Sequence, residues 1–163
     1  MNLQTQYSNC SHGQLNFDSV GNVVSGNTLT INDGVLTVNL PNNQKSDGNT
    51  NIRNAINSLI LSEFGQQPYQ IADHVMYCMP SNVMSGIAFA GVNSWYSVYN
   101  NEWCHQYSAV QMHEIGHNIG LGHSGEGDIS VGTNQYQDQS GNVSDSFNMF
   151  CRNMQYIDLH VYL

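Results

Sequence analysis

At 163 residues, with 40% hydrophobic and 9% charged side chains, the chain carries enough apolar material for one globular core and is not a stapled mini-protein. Its three basic residues, Lys45, Arg53 and Arg152, stand against twelve acidic ones for a formal charge of −9, which excludes the clustered cations that nucleic acid and anionic membrane surfaces require. No apolar run approaches the length of a bilayer span, so no membrane insertion is expected.

The chain opens on MNLQTQYSNCSHG, which has no apolar stretch of the kind a secretory signal needs. Two readings stay open: a leader and pro-segment that lie outside this chain, or a protein that is not secreted. Residues 1 to 48 read as β structure with turns. Gln14 to Phe17, Thr28 to Ile31 and Val35 to Leu40 are short alternating or β-branched runs, and Asn32-Asp33-Gly34 is the best hairpin signal among them. All of this is read as scaffold.

Asn49 to Phe64 reads as a helix, with Ile52, Ala55, Ile56, Leu59, Ile60 and Phe64 recurring at helical period, Thr50 as its cap and Gly65 past its end. Such a stripe is core packing and receives no chemistry. His74 to Met79 then reads as a strand buried on at least one face and Ile87 to Val92 as another, with a loop at Pro80-Ser81 between them. Trp95, Tyr96, Tyr99 and Trp103 cluster ahead of the next helix. Packing beneath that helix is the plainer reading, and lining a substrate subsite the sharper one.

Ser108 and Gln111 have capping-box spacing and place a helix start ahead of His113. Met112, Ile115, Gly116 and Ile119 fall at i, i+3, i+4 and i+7 and make its core face. On the opposite side, residues 113 to 123 read HEIGHNIGLGH. Histidines four apart project from one helix face about a turn apart, so His113 and His117 can hold a single metal ion through ring nitrogens. Glu114 is offset round the helix, where its carboxylate can reach a water on the metal without ligating, as a general base must. Gly120 supplies the positive φ at which a helix stops. The reversal there brings His123 up as a third ligand, and three nitrogens leave one position of a tetrahedral zinc open, as in a catalytic site. Surface histidines at a helix end are the bland alternative, and they leave the complete spacing unexplained. In its extended form this spacing is the metzincin zinc signature.

His105 lies outside the motif and reads as a surface or capping histidine, as do His12, His74 and His160. Past His123 the chain is loop-like. Glu126, Asp128 and Asp138 among glycines could hold calcium, but without ordered ligand spacing a solvated loop is the better reading. Cys10, Cys78, Cys104 and Cys151 are even in number with no C-x-x-C pair, so two disulfides are expected, with three pairings open. Sequons at Asn9 and Asn142 lean weakly toward an extracellular protein.

The run from Asp73 through Glu126, with HVMYCMP, GIAFAGVNSWYSVYNNEWC and QMHEIGHNIGLGHSGE, closely resembles the gametolysin-like metallopeptidases, a metzincin family; Cys10 to Leu15 is similar to the opening of that family's catalytic domain. The resemblance implies an α/β (α+β) metzincin-like zincin: a twisted mixed sheet packed on two main helices, with a short C-terminal subdomain. It implies a single catalytic domain over 1–163, with the leader and pro-segment outside it and the C-terminal subdomain cut short at Leu163. It further implies a secreted, monomeric zinc endopeptidase cleaving matrix or cell-wall glycoproteins. One Zn2+ is then held by His113, His117 and His123, with Glu114 as base and proton shuttle. Metzincins also carry a methionine in a tight turn beneath the zinc; Asn142-Val143-Ser144 stands where the family has it, and Met149 is the candidate for a displaced Met-turn. A degenerate zinc-binding or matrix-binding module without turnover is the alternative.

Overall fold

Tyr96-Ser97-Val98-Tyr99 is rich in the aromatic and β-branched residues that fit a pleated, two-sided surface. In the computed structural model, which describes residues 3–21, 23–40 and 48–123, this run is the centre of a three-stranded sheet. In chain order the elements are α1 (Leu3–Cys10), β1 (Val23–Ser25), β2 (Thr30–Asn32), α2 (Gly48–Phe64), α3 (Pro68–Ile71), β3 (Val75–Met79), β4 (Ala88–Ala90), β5 (Tyr96–Asn100), a 3-10 turn (Asn101–Cys104) and α4 (Ser108–Asn118). β3 lies parallel to β5, with Val75 beside Tyr96 and Met79 beside Asn100. β4 runs antiparallel along the other side of β5, Ala88 opposite Tyr99 and Ala90 opposite Ser97. A mixed sheet between helices agrees with the expected α+β class.

Alternation along β5 sorts the helices onto opposite faces of the sheet. Val98 packs with Tyr77, Met79, Val83 and, from α2, Ile52. Its neighbour Tyr99 packs with Cys104 and, from α4, Val110. The expected stripe of α2 is the inward one: Ile52 and Ile60 are buried while Leu61 is exposed. The Tyr77 hydroxyl donates to Asn57 Oδ1 at 2.5 Å, and the Arg53 guanidinium lies 4.6 Å from the Tyr96 ring centre, so α2 is tied to both β3 and β5. Gly65, at φ 69°, ends α2 as expected. Thr50 lies inside the helix and accepts from Arg53, so it is not the cap.

The first part of the chain departs from the expected β structure. Leu3–Cys10 is a helix, and eight residues are too few to hold one in water without tertiary contacts. The contacts come from α4. Tyr7 is fully buried and donates its hydroxyl to the Met112 carbonyl at 2.8 Å, and the Gln6 amide donates to Ser108 Oγ at 3.1 Å. Leu15 and Phe17 alternate inward and join Tyr7, Cys10, Met112 and Ile115 in one cluster, but Gln14 to Phe17 pairs with none of the described strands. The hairpin instead joins β1 to β2. Asp33 (φ 48°) and Gly34 (φ 76°) do turn the chain, but the turn closes a single bridge between Asn32 and Val35 and no strand runs on to Leu40.

A disulfide joins Cys78 of β3 to Cys104 of the 3-10 turn, and Cys10 is also disulfide-bonded. No described cysteine is free, in line with disulfides rather than a cysteine metal site. One strand the sequence reading did not place is β5 itself. Its aromatics signal packing beneath α4 equally well, and only pairing on both sides makes them a central strand.

Candidate metal centre

Core burial sets the rotation of α4. Met112 and Ile115 are buried against α1 and the residues after it, so the opposite side of the same helix carries His113 and His117. The expected capping box is not formed. Tyr107 occupies the cap position without a side-chain bond, Ser108 Oγ accepts from Gln6, and the Gln111 amide donates to the Cys104 carbonyl at 2.5 Å. Both side chains are spent on tertiary ties, which hold the helix start against α1 and the disulfide-linked turn.

At its other end α4 closes in a Schellman arrangement. The Leu121 N–H donates to the Gly116 carbonyl at 2.9 Å and the Gly120 N–H to that of His117 at 3.0 Å, with Gly120 at φ 95° as its position predicts. The reversal carries His123 back to the two helix histidines. The three Nε2 atoms stand 3.2 Å (His113 to His123), 3.1 Å (His113 to His117) and 3.1 Å (His117 to His123) apart.

These distances admit a test of the donor set. A neutral imidazole nitrogen has one in-plane direction, occupied by either a proton or a lone pair, so three Nε2 atoms cannot all hydrogen-bond to one another. A cation at their centre satisfies all three lone pairs at once. Nitrogens about 2.0–2.1 Å from a tetrahedral zinc lie roughly 3.3–3.4 Å apart, close to the separations seen, so the group fits such an ion. Among the described residues, His113, His117 and His123 form the one such group of histidine, cysteine or carboxylate side chains.

The surroundings favour the neutral rings that metal binding needs. Burial first, and then the neighbouring His117 and His123 rings, hold His113 down at about 4. His117 Nδ1 is 2.8 Å from the Leu121 carbonyl oxygen, which requires the proton on Nδ1 and leaves Nε2 with its lone pair. Glu114, next to His113, is 6% exposed, and burial pushes its carboxyl up to about 7. A carboxyl so shifted can both accept and release a proton near neutral pH.

Other predicted residues fall elsewhere. His12 and His105 are exposed, as expected. His74 is half-buried rather than freely exposed: its Nδ1 is shielded from water, and burial lowers its pKa. Trp95 packs edge-on to Tyr69, Tyr77 and Tyr96 on the α2 side of the sheet, and Trp103 stacks on Tyr107 with ring centres 4.1 Å apart. Met149, His160, Cys151, Asn142 and the acidic loop with Glu126, Asp128 and Asp138 lie outside the described residues.

Sequence reasoning passed over Asn93 and Asn118. The Asn93 N–H donates to the His117 carbonyl at 2.9 Å, and the Asn118 amide reaches the carbonyls of Gly91 and Tyr96. No spacing rule points to either, because their partners lie far off in the chain.

One protein family, described as gametolysin peptidase M11, matches the chain over residues 1–157. No curated protein and no solved structure matches it.

Proposed function

The chain belongs to the gametolysin peptidase M11 family, and from that premise we propose that it is a zinc-dependent endopeptidase in which His113, His117 and His123 hold the ion and Glu114 is the general base. The observation that carries this reading is the convergence of three Nε2 atoms within 3.2 Å of one another, with the residue after His113, Glu114, buried on the same helix. A bound zinc supplies Lewis acidity, making water acidic near neutral pH and polarising a carbonyl oxygen.

The rest is the work of the chain's own groups. Glu114 takes a proton from the attacking water and delivers it to the leaving amine nitrogen, which a carboxyl near 7 is suited to do in both directions. The Leu121 carbonyl holds the His117 ring in the ligating tautomer. An extended peptide pairs with the edge of β4, which among the described strands bonds only to β5; Ile87, Phe89 and Val92 are exposed beside it.

Within this reading residues 1–163 form one metzincin-type catalytic domain, for which Met149 is the Met-turn candidate. The substrates are matrix or cell-wall glycoproteins outside the cell, in keeping with the Cys78–Cys104 disulfide. The test is digestion of a glycoprotein matrix with and without a chelator, alongside metal analysis. Cleavage that stops on chelation and returns with zinc is expected. One zinc per chain with no chelator-sensitive cleavage would favour a binding module instead.

A further inference from the structure

The end of α4 is held from outside the helix by the loop between β4 and β5. Asn118 is 5% exposed, and its amide donates to the Tyr96 carbonyl at 2.9 Å and the Gly91 carbonyl at 3.3 Å. Both amide hydrogens are thus engaged in a place from which water is excluded. The loop they hold meets the helix end at two further points. The Asn93 N–H donates to the His117 carbonyl at 2.9 Å, and Asn93 Oδ1 lies so close to Gly120 that a Cβ there would stand 2.9 Å from it. Asn93 takes φ 56°, in a turn closed by the Ser94 N–H on the Gly91 carbonyl at 3.2 Å. The loop therefore grips both sides of the reversal, at His117 and at Gly120. From Gly120 the chain runs on through Leu121, which packs against the Met112–Ile115 cluster, to His123.

We propose that Asn118 is a positioning residue of the metal centre: it clamps the β4–β5 loop onto the chain reversal after His117 and thereby fixes where the His123 ring arrives. The inference rests on the zinc-ligand reading above. It also links the edge strand to the ligand set, since the carbonyl of Gly91, just past β4, is one of the two groups Asn118 holds.

The test is zinc affinity by chelator competition and the visible spectrum of the cobalt(II) form, measured on the 163-residue chain. The variants are Asn118→Ala, Asn118→Asp, His123→Ala and the double variant Asn118→Ala/His123→Ala. Loss of Asn118 is expected to weaken zinc binding roughly 10–100-fold, the usual effect of removing an outer-shell support. The cobalt(II) bands should shift as the third imidazole is lost. In the His123→Ala background the same change should weaken binding less than about twofold, because the residue it acts through is gone. Asn57→Ala, which breaks the remote bond to Tyr77, is expected to lower stability and leave zinc affinity unaltered.

An Asn118 effect as large without His123 as with it, or no effect at all, overturns the proposal and leaves the ligand reading standing. Zinc affinity unchanged by His123→Ala overturns both. Should the Asn118 variants not fold, Asn93→Gly probes the same path, since glycine adopts φ 56° without strain. Weaker zinc binding there supports the clamp, and unchanged binding overturns it.

Discussion

His117 Nδ1 and the Leu121 carbonyl oxygen, 2.8 Å apart, join the second helix histidine to the segment that reverses away from the helix. One hydrogen bond thus sets the tautomer of a ring and anchors the strand of chain that brings His123 to it. The arrangement of the three histidines and the termination of the helix are here one structural event.

Separating the base from the ligands is the most direct prediction. Glu114→Gln is expected to keep zinc and lose activity by about 10²–10⁴-fold, while His117→Ala loses both. Metal content and kcat/KM measured together check it. A Glu114→Gln variant cleaving at the original rate would remove Glu114 from the mechanism.

Gly120→Ala should be costlier than an ordinary glycine replacement. It places a side chain at φ 95° and sets its Cβ 2.9 Å from Asn93 Oδ1, whereas Gly13→Ala, at φ 80°, meets nothing within 4 Å among the described residues. Urea unfolding is expected to show a loss of about 2–3 kcal/mol for the first and about 1 for the second. Equal losses would mean that the Asn93 contact contributes nothing.

In the metal-free chain Glu114 gives stability a defined pH dependence. Its folded carboxyl keeps a proton up to about 7, while the unfolded one releases it near 4.5, so its contribution is whole below 4.5 and is lost as pH rises through 7. His113 runs the other way: with the folded ring at about 4 against 6.5 unfolded, stability grows as pH rises across that window. The two partly cancel, so the quantity to measure is the stability of the unaltered chain minus that of Glu114→Gln. That difference should fall by up to about 3 kcal/mol between pH 4.5 and 7, the equivalent of the shift in the carboxyl. A flat difference would show that the carboxyl is not shielded from water.

Opening the Cys78–Cys104 bridge, which closes a separation of 26 residues, should cost about 3.5 kcal/mol on the loop-entropy account. Denaturant unfolding of a Cys78→Ala/Cys104→Ala variant tests it. A loss under 1 kcal/mol would mean that the sheet and the 3-10 turn hold together without the link.

Much of α4 was legible in advance because its geometry is local. Spacing of four along a helix sets His113 above His117, and Gly120 is the residue that can turn back after them, so the three rings brought together here are those the spacing named. The stripe of α2 was legible for the same reason. Polar bonding was not: Ser108 and Gln111 have the spacing of a cap, but Gln6 and the Cys104 carbonyl engage them instead.

Local spacing was enough to place the helix of His113 and His117, its stop at Gly120 and the inward face of α2, since each depends on residues within two turns of one another. The folded chain was needed to show that Leu3–Cys10 is a helix, that Tyr96–Asn100 is the central strand, that Cys78 pairs with Cys104, and that Asn93 and Asn118 bond across to the end of α4 and the loop before β5. Each of these depends on partners distant along the chain. Tyr7 is helical because Met112 and its neighbours bury it, and a short polar segment carries too little local preference to announce that before the chain has folded.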